Sequence, residues 1–220
     1  LRRLFARLQR QRSEFELFDA YYRGSPPRPP WVAEQAYEAF KRLLHLTRSN
    51  YMGLVVDATA ERLQVEGFRL GDQPQADRET WAIWQANQLD DQADQALLEA
   101  LIGGCSFLLV APGDGVPQVF AEHPTQAVVE YAPGTGRRFP AAGLKAWVDD
   151  WSGEMWATLY LPDVLCKFRT AKPVSGLALD QLRWEPREIL GESWPAPNPL
   201  GAVPLVELAN NPRLLSGGVS

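Results

Sequence analysis

Leu1, Leu4, Phe5 and Leu8 recur at three- and four-residue intervals, the spacing that aligns side chains on one face of an α-helix. Phe15, Leu17 and Phe18 carry the apolar content on to "DAYYRG", so the pattern predicts an amphipathic helix over residues 1–24. The run "GSPPRPP" ends it in an extended linker, because proline has no N–H to donate and pushes the preceding residue out of helical geometry. From Trp31, a second helix places Ala33, Ala36, Tyr37, Phe40, Leu43 and Leu44 on one face, with Glu34, Glu38, Lys41 and His45 on the solvated side. "TRSN" supplies cap residues for a third, "YMGLVVDATAERL", which is apolar on most sides and is therefore expected to be central. Asp57 interrupts it and must be paired, hydrogen-bonded or exposed, since an isolated buried carboxylate is costly; a structural partner such as Arg48 or Arg62 is expected rather than a catalytic role.

"LQVEGFRLG" then alternates as a half-buried strand does. Asp77 is placed to cap a short helix carrying Trp81, Ile83 and Trp84. Asp90 or Asp91 is placed to cap the next, which shows Ala93, Ala96, Leu97, Ala100 and Leu101 on one face and ends at "IGG". "CSFLLVAP" is a continuous apolar run, consistent with a strand buried on both faces. After it come "PQVFAEH", "QAVVEY", "LKAWVDD", "MWATLYLP", "VLCKFR" and "LRWEPRE", divided by turns rich in glycine, proline and aspartate. The fold class predicted is α+β, N-terminal helices followed by a mostly antiparallel β-meander. It forms one region over 1–220: a helix over 1–24, a helical part with one strand over 31–104, and a β-rich part over 105–208.

Composition adds two constraints. Cys105 and Cys166 sit in apolar strand-like runs without zinc-site spacing, so both are expected to be reduced core residues. No apolar run approaches the roughly 18–20 residues of a membrane-spanning helix, and no signal peptide is evident, which points to the cytoplasm. The net charge of −5 is unevenly spread. Seven arginines against three carboxylates leave residues 1–30 at +4, while seven carboxylates against Arg78 leave residues 71–100 at −6. Opposite patches on one molecule can meet head to tail, the contact type that closes into rings. On this ground Arg3, Arg7 and Arg10 are candidate interface residues, with Asp90, Asp91 and Asp94 as their complement on a neighbouring copy.

Candidate chemistry is sparse. Glu122 stands beside His123, a pairing that proton-transfer sites use. Adjacent strand residues point to opposite faces, however, and "EHPTQ" reads as a strand end and a turn. His45 is the only other histidine, so a histidine-based metal site has little to build on. The sequence holds no nucleophile elbow, HExxH, phosphate loop or dinucleotide fingerprint, and no catalytic residue, cofactor or metal is expected. Eight tryptophans suggest either packing or a carbohydrate-binding face, on which exposed rings would stack on sugars.

The ordered segments "LFDAYYRG", "LHLTRSNYMGLVVDATAERLQVEGFRLG", "WAIWQANQLDDQADQALLEALIGGCSFLLV", "HPTQAVVEYAPGTGR", "LKAWVDD", "ATLYLPDVLCKF" and "PNPLGAVPLVELANNPRL" resemble the portal proteins of tailed bacteriophages, particularly the siphovirus type. The resemblance implies a wing-like region of a structural subunit. It further implies a ring homo-oligomer, dodecameric in the particle, at the virion portal vertex after assembly in the host cytoplasm. DNA would pass through its channel without sequence-specific binding, and terminase, capsid and head-completion proteins would be partners of the full-length chain. Stem, clip and crown would follow residue 220. An acidic protein suits a channel for DNA, because a strongly basic wall would hold phosphates by counterion release.

Overall fold

The computed structural model describes residues 1–27, 31–47, 49–72, 74–135, 137–174 and 182–211. The helices are α1 (Arg2–Tyr22), α2 (Tyr37–Thr47, entered through a single 3-10 turn at Glu34–Ala36), α3 (Tyr51–Ala60), α4 (Arg78–Ala86) and α5 (Leu89–Gly103). The strands are β1 (Cys105–Ala111), β2 (Gln118–Glu122), β3 (Ala127–Tyr131), β4 (Pro140–Val148), β5 (Met155–Tyr160), β6 (Val164–Thr170), β7 (Trp184–Pro186), β8 (Ala196–Pro197) and β9 (Leu205–Ala209). The order is the α+β one expected, with every strand pairing antiparallel.

The strands form two sheets rather than one meander. A large sheet runs β3-β4-β5-β6-β7, with β8 pairing the other end of β6, and a small one runs β2-β1-β9. The small sheet exists because "PLVEL" returns as β9 to the free edge of β1, in the register Leu109↔Leu205. β3 joins the two layers through its alternation. Val128 faces Leu144, Ala146, Ala157 and the Leu4–Phe5–Leu8 stripe of α1, while Ala127 and Val129 face Phe107, Leu109, Val203 and Leu205. Gly143 on β4 permits the second contact, since a Cβ there would press on Leu205 and Val203. β1 is covered on both faces as its apolar run predicts: Phe107 and Leu109 join the inter-sheet core, and the buried Ser106 hydroxyl donates to the Ala96 carbonyl of α5 at 2.6 Å.

Local sequence explains the helix ends. Asn50 caps α3 by accepting from the Gly53 N–H, and Asp77 caps α4 by accepting from the Glu79 and Thr80 N–H groups. α5 ends at Gly104 in the left-handed conformation (φ 86°) that glycine adopts freely. The outer edge of β2 is closed by side chains: Asn87 Oδ1 accepts from the Val119 N–H and Gln92 Oε1 from the Ala121 N–H, which blocks a further strand from pairing there.

Three expectations are corrected. Leu63–Leu70 forms no strand; the segment joins neither sheet, the Phe68 carbonyl accepts from the Asp77 N–H, and the Phe68 ring packs on Trp81 and Trp84. α5 begins at Leu89 after Gln88, so Asp90 and Asp91 lie inside its first turn and neither is the cap. α3 is not central: Gly53 is its one buried residue, while Tyr51, Met52, Leu54 and Val55 are exposed. A helix apolar on most sides carries no information about which side is covered. Of the linker "GSPPRPP", residues 28–30 lie outside the described residues, as do the side chains of Leu44 and His45.

Candidate functional site

The polar groups singled out from the sequence converge where α1, α5 and the two sheets meet. At the end of β2, Glu122 is buried at 6% exposure and pairs with Lys145 of β4 at 2.5 Å. Burial pushes the Glu122 carboxyl above its usual range, and the Lys145 hydrogen bond and charge oppose that shift. His123 turns the other way. Its Nδ1 accepts from the Thr125 N–H at 3.2 Å and lies 2.7 Å from the Thr125 hydroxyl, its ring stands edge-on to Phe15, and Nε2 lies 3.5 Å from Glu99. The Gln126 and Ala127 N–H groups close the turn by donating to the His123 carbonyl. Glu122 and His123 are thus divided between opposite faces, as strand geometry requires. Gln11 of α1 seals the corner by donating to the Pro124 and Ala127 carbonyls.

A second cluster bridges the sheets. The Tyr131 hydroxyl donates to Glu207 at 2.9 Å, and Arg137 pairs with the other Glu207 oxygen at 3.2 Å. Burial raises the Tyr131 hydroxyl far above its ordinary value, and the Glu207 charge adds to this. Cys105 is pushed up to about 11, first by burial and then by Glu207, so its thiol is protonated at neutral pH. Both cysteines are free and half-buried. Among the described residues, no group of three or more histidine, cysteine, aspartate or glutamate side chains is arranged to hold a metal ion. No described helix is long and apolar enough to cross a membrane.

The candidate interface residues divide. The apolar stripe of α1 docks on its own subunit's large sheet, and Arg3 pairs with Glu130 of the same chain at 2.6 Å while its side chain stays 86% exposed. Arg7 is half-buried near Cys105 and Tyr131, and Arg10 is exposed. Asp90 accepts from the Trp84 indole N–H at 2.7 Å and from Gln85 at 3.0 Å, tying α4 to α5. Asp91 and Asp94 are exposed on α5. Asp57 is also exposed and accepts from the Tyr22 hydroxyl at 2.8 Å, which replaces the arginine partner expected from sequence; Arg48 lies outside the described residues. No local pattern announces the Glu122–Lys145 pair, which depends on the chain's bringing β2 and β4 together.

Most tryptophans are engaged in packing. Trp81 stacks on Trp84, Trp147 meets Trp156 across the β4–β5 register, Trp184 abuts Phe5, and Trp194 abuts Phe168. Trp31 and Trp151 are exposed, at 75% and 97%, but belong to separate elements, the turn before α2 and the β4–β5 turn. They do not share a sheet face on which a sugar could stack.

The geometry defines an α+β scaffold in which the buried ionisable groups knit two sheets and a helix together. The family model for phage portal proteins of the SPP1 Gp6-like type matches residues 1–216, and the chain belongs to that family. It is 35% identical over 180 residues to the portal protein of Mycobacterium phage D29 and 33% identical over 180 residues to that of Mycobacterium phage L5. Each match covers 77% of this chain and 33% of the relative, so the matched part spans about a third of the relatives' length. The family is structural and non-enzymatic, and the sugar-binding reading is left without support.

Proposed function

We propose that the chain is the wing-like part of a portal subunit, a ring oligomer at the capsid vertex through which DNA is packaged and ejected. The observation that carries this reading is the family match over residues 1–216. The fold is consistent with a structural role, because Glu122, Glu207, Tyr131 and Asp90 are all spent on internal ties. In this reading the ring is dodecameric in the particle, terminase, capsid and head-completion proteins are its partners, and the protein catalyses no reaction. The subunit is made in the host cytoplasm.

The charged contacts between neighbours are proposed to use Arg7 and Arg10 of α1 against Asp91 and Asp94 of the next copy, with Arg3 and Asp90 at the margin, since these two are already engaged internally. Complementation tests both levels. In a phage with a stop codon early in this gene, heads should lack DNA, and the full-length wild-type gene supplied in trans should restore packaging. Charge reversal at Arg7 and Arg10 should lower that rescue at least tenfold, and reversal of Asp91 and Asp94 in the same gene should recover part of it. Normal packaging without the gene would overturn the portal reading. Full rescue by the doubly reversed helix would overturn only the charge assignment.

A further inference from the structure

α3 lies against the C-terminal half of α1 through its smallest residue. A Cβ at Gly53 would meet Asn50 and the Tyr22 carbonyl, and the same two residues tie the helices together, Asn50 Nδ2 donating to the Tyr22 carbonyl at 2.7 Å. The Tyr22 hydroxyl adds a second tie through Asp57. Because Gly53 occupies the contact, the large side chains of the first turns of α3 face away from α1. Tyr51, Met52, Leu54 and Val55 are 59–68% exposed, and Phe18 and Tyr21 on the adjoining half of α1 are 49% and 42% exposed.

These six large, mostly apolar side chains are each 42–68% exposed, and extended apolar exposure of this kind marks interaction sites. No charged residue interrupts Tyr51–Val56, and Tyr51, Met52, Phe18 and Tyr21 are of the aromatic and methionine types enriched at interfaces. None of these six side chains is a cation that a phosphate backbone could use. The patch also continues the charged surface assigned above, since Arg10, Leu17 and Tyr21 follow one another along one face of α1, two turns and then one turn apart.

We infer that this surface of α1 and α3 seats a second copy of the chain, as the apolar half of the junction between neighbouring subunits. The inference rests on the portal reading, in which a ring repeats the same head-to-tail contact at every junction. The experiment replaces Val55 by the photocrosslinker p-benzoylphenylalanine in the full-length protein, assembled from an equal mixture of 14N- and 15N-labelled subunits. After irradiation the expected product is a ladder of covalent multimers whose crosslinked peptides join light to heavy chains. The Leu54→Asp variant should raise the concentration needed for assembly at least tenfold, with the thermal stability of the unassembled subunit unchanged because the side chain is exposed. Rings that form normally but crosslink only within one polypeptide, only to another protein, or not at all would overturn the assignment and leave the portal reading standing. Absence of rings in the wild-type protein would overturn both.

Discussion

Leu8→Ala is expected to lower the unfolding free energy by about 3 kcal/mol, within the range of roughly 2–5 kcal/mol for leucine truncation in a packed core. Leu8 is 1% exposed and sits among Leu4, Phe5, Val128, Leu144 and Ala157, where the sheet cannot readily close over the space of three lost heavy atoms. The effect is enlarged because α1 has little stability of its own. It begins without a side-chain cap or an acidic residue in its first turn, so its helicity depends on the face it buries. Urea unfolding should show the loss as a lower midpoint. Arg2→Ala, six residues earlier on the same helix and exposed, should stay within about 0.5 kcal/mol of wild type. A loss under about 1 kcal/mol for Leu8→Ala would mean that α1 does not rest on this sheet in solution.

Lys145→Met should cost about 3 kcal/mol at pH 8, because it leaves the Glu122 carboxylate buried without its partner. The pH dependence identifies the cause. Burial already raises the folded-state pKa of Glu122 above its unfolded value, and removing Lys145 raises it further. A carboxyl whose pKa is raised on folding binds its proton more tightly in the folded state. Its destabilising contribution is therefore fully present above the folded pKa and fades as pH falls through that value toward the unfolded value near about 4.3. The deficit of Lys145→Met should accordingly shrink between pH 8 and pH 5. Glu122→Gln in the Lys145→Met background should recover most of it at pH 8. Denaturant midpoints for the four proteins of this cycle, at both pH values, provide the check.

Elements with a single clear period were legible from the sequence. The α1 stripe, the α5 face, the Gly104 stop and the strands from β1 to β7 all follow from local pattern and turn chemistry. Features decided by long-range contact were not. β9 is set by pairing with β1 a hundred residues earlier in the chain, and nothing in "PLVEL" announces that partner. The alternation in "LQVEGFRLG" resembles a strand, yet Phe68 is drawn to Trp81 and Trp84 and the segment joins no sheet. In α3 the apolar content was visible but its direction was not, because the covered position is a glycine. For the charged candidates, sequence counted arginines and aspartates correctly but could not show that Glu130 already holds Arg3 or that Trp84 already holds Asp90.

The most direct test of the central claim is the mass and shape of the assembled full-length protein, measured by native mass spectrometry together with negative-stain electron microscopy. The account predicts a closed ring with an axial opening and a mass that is an integer multiple of the subunit, twelve in the particle. A protein that stays monomeric or forms only two-fold dimers at high concentration and physiological salt would contradict it.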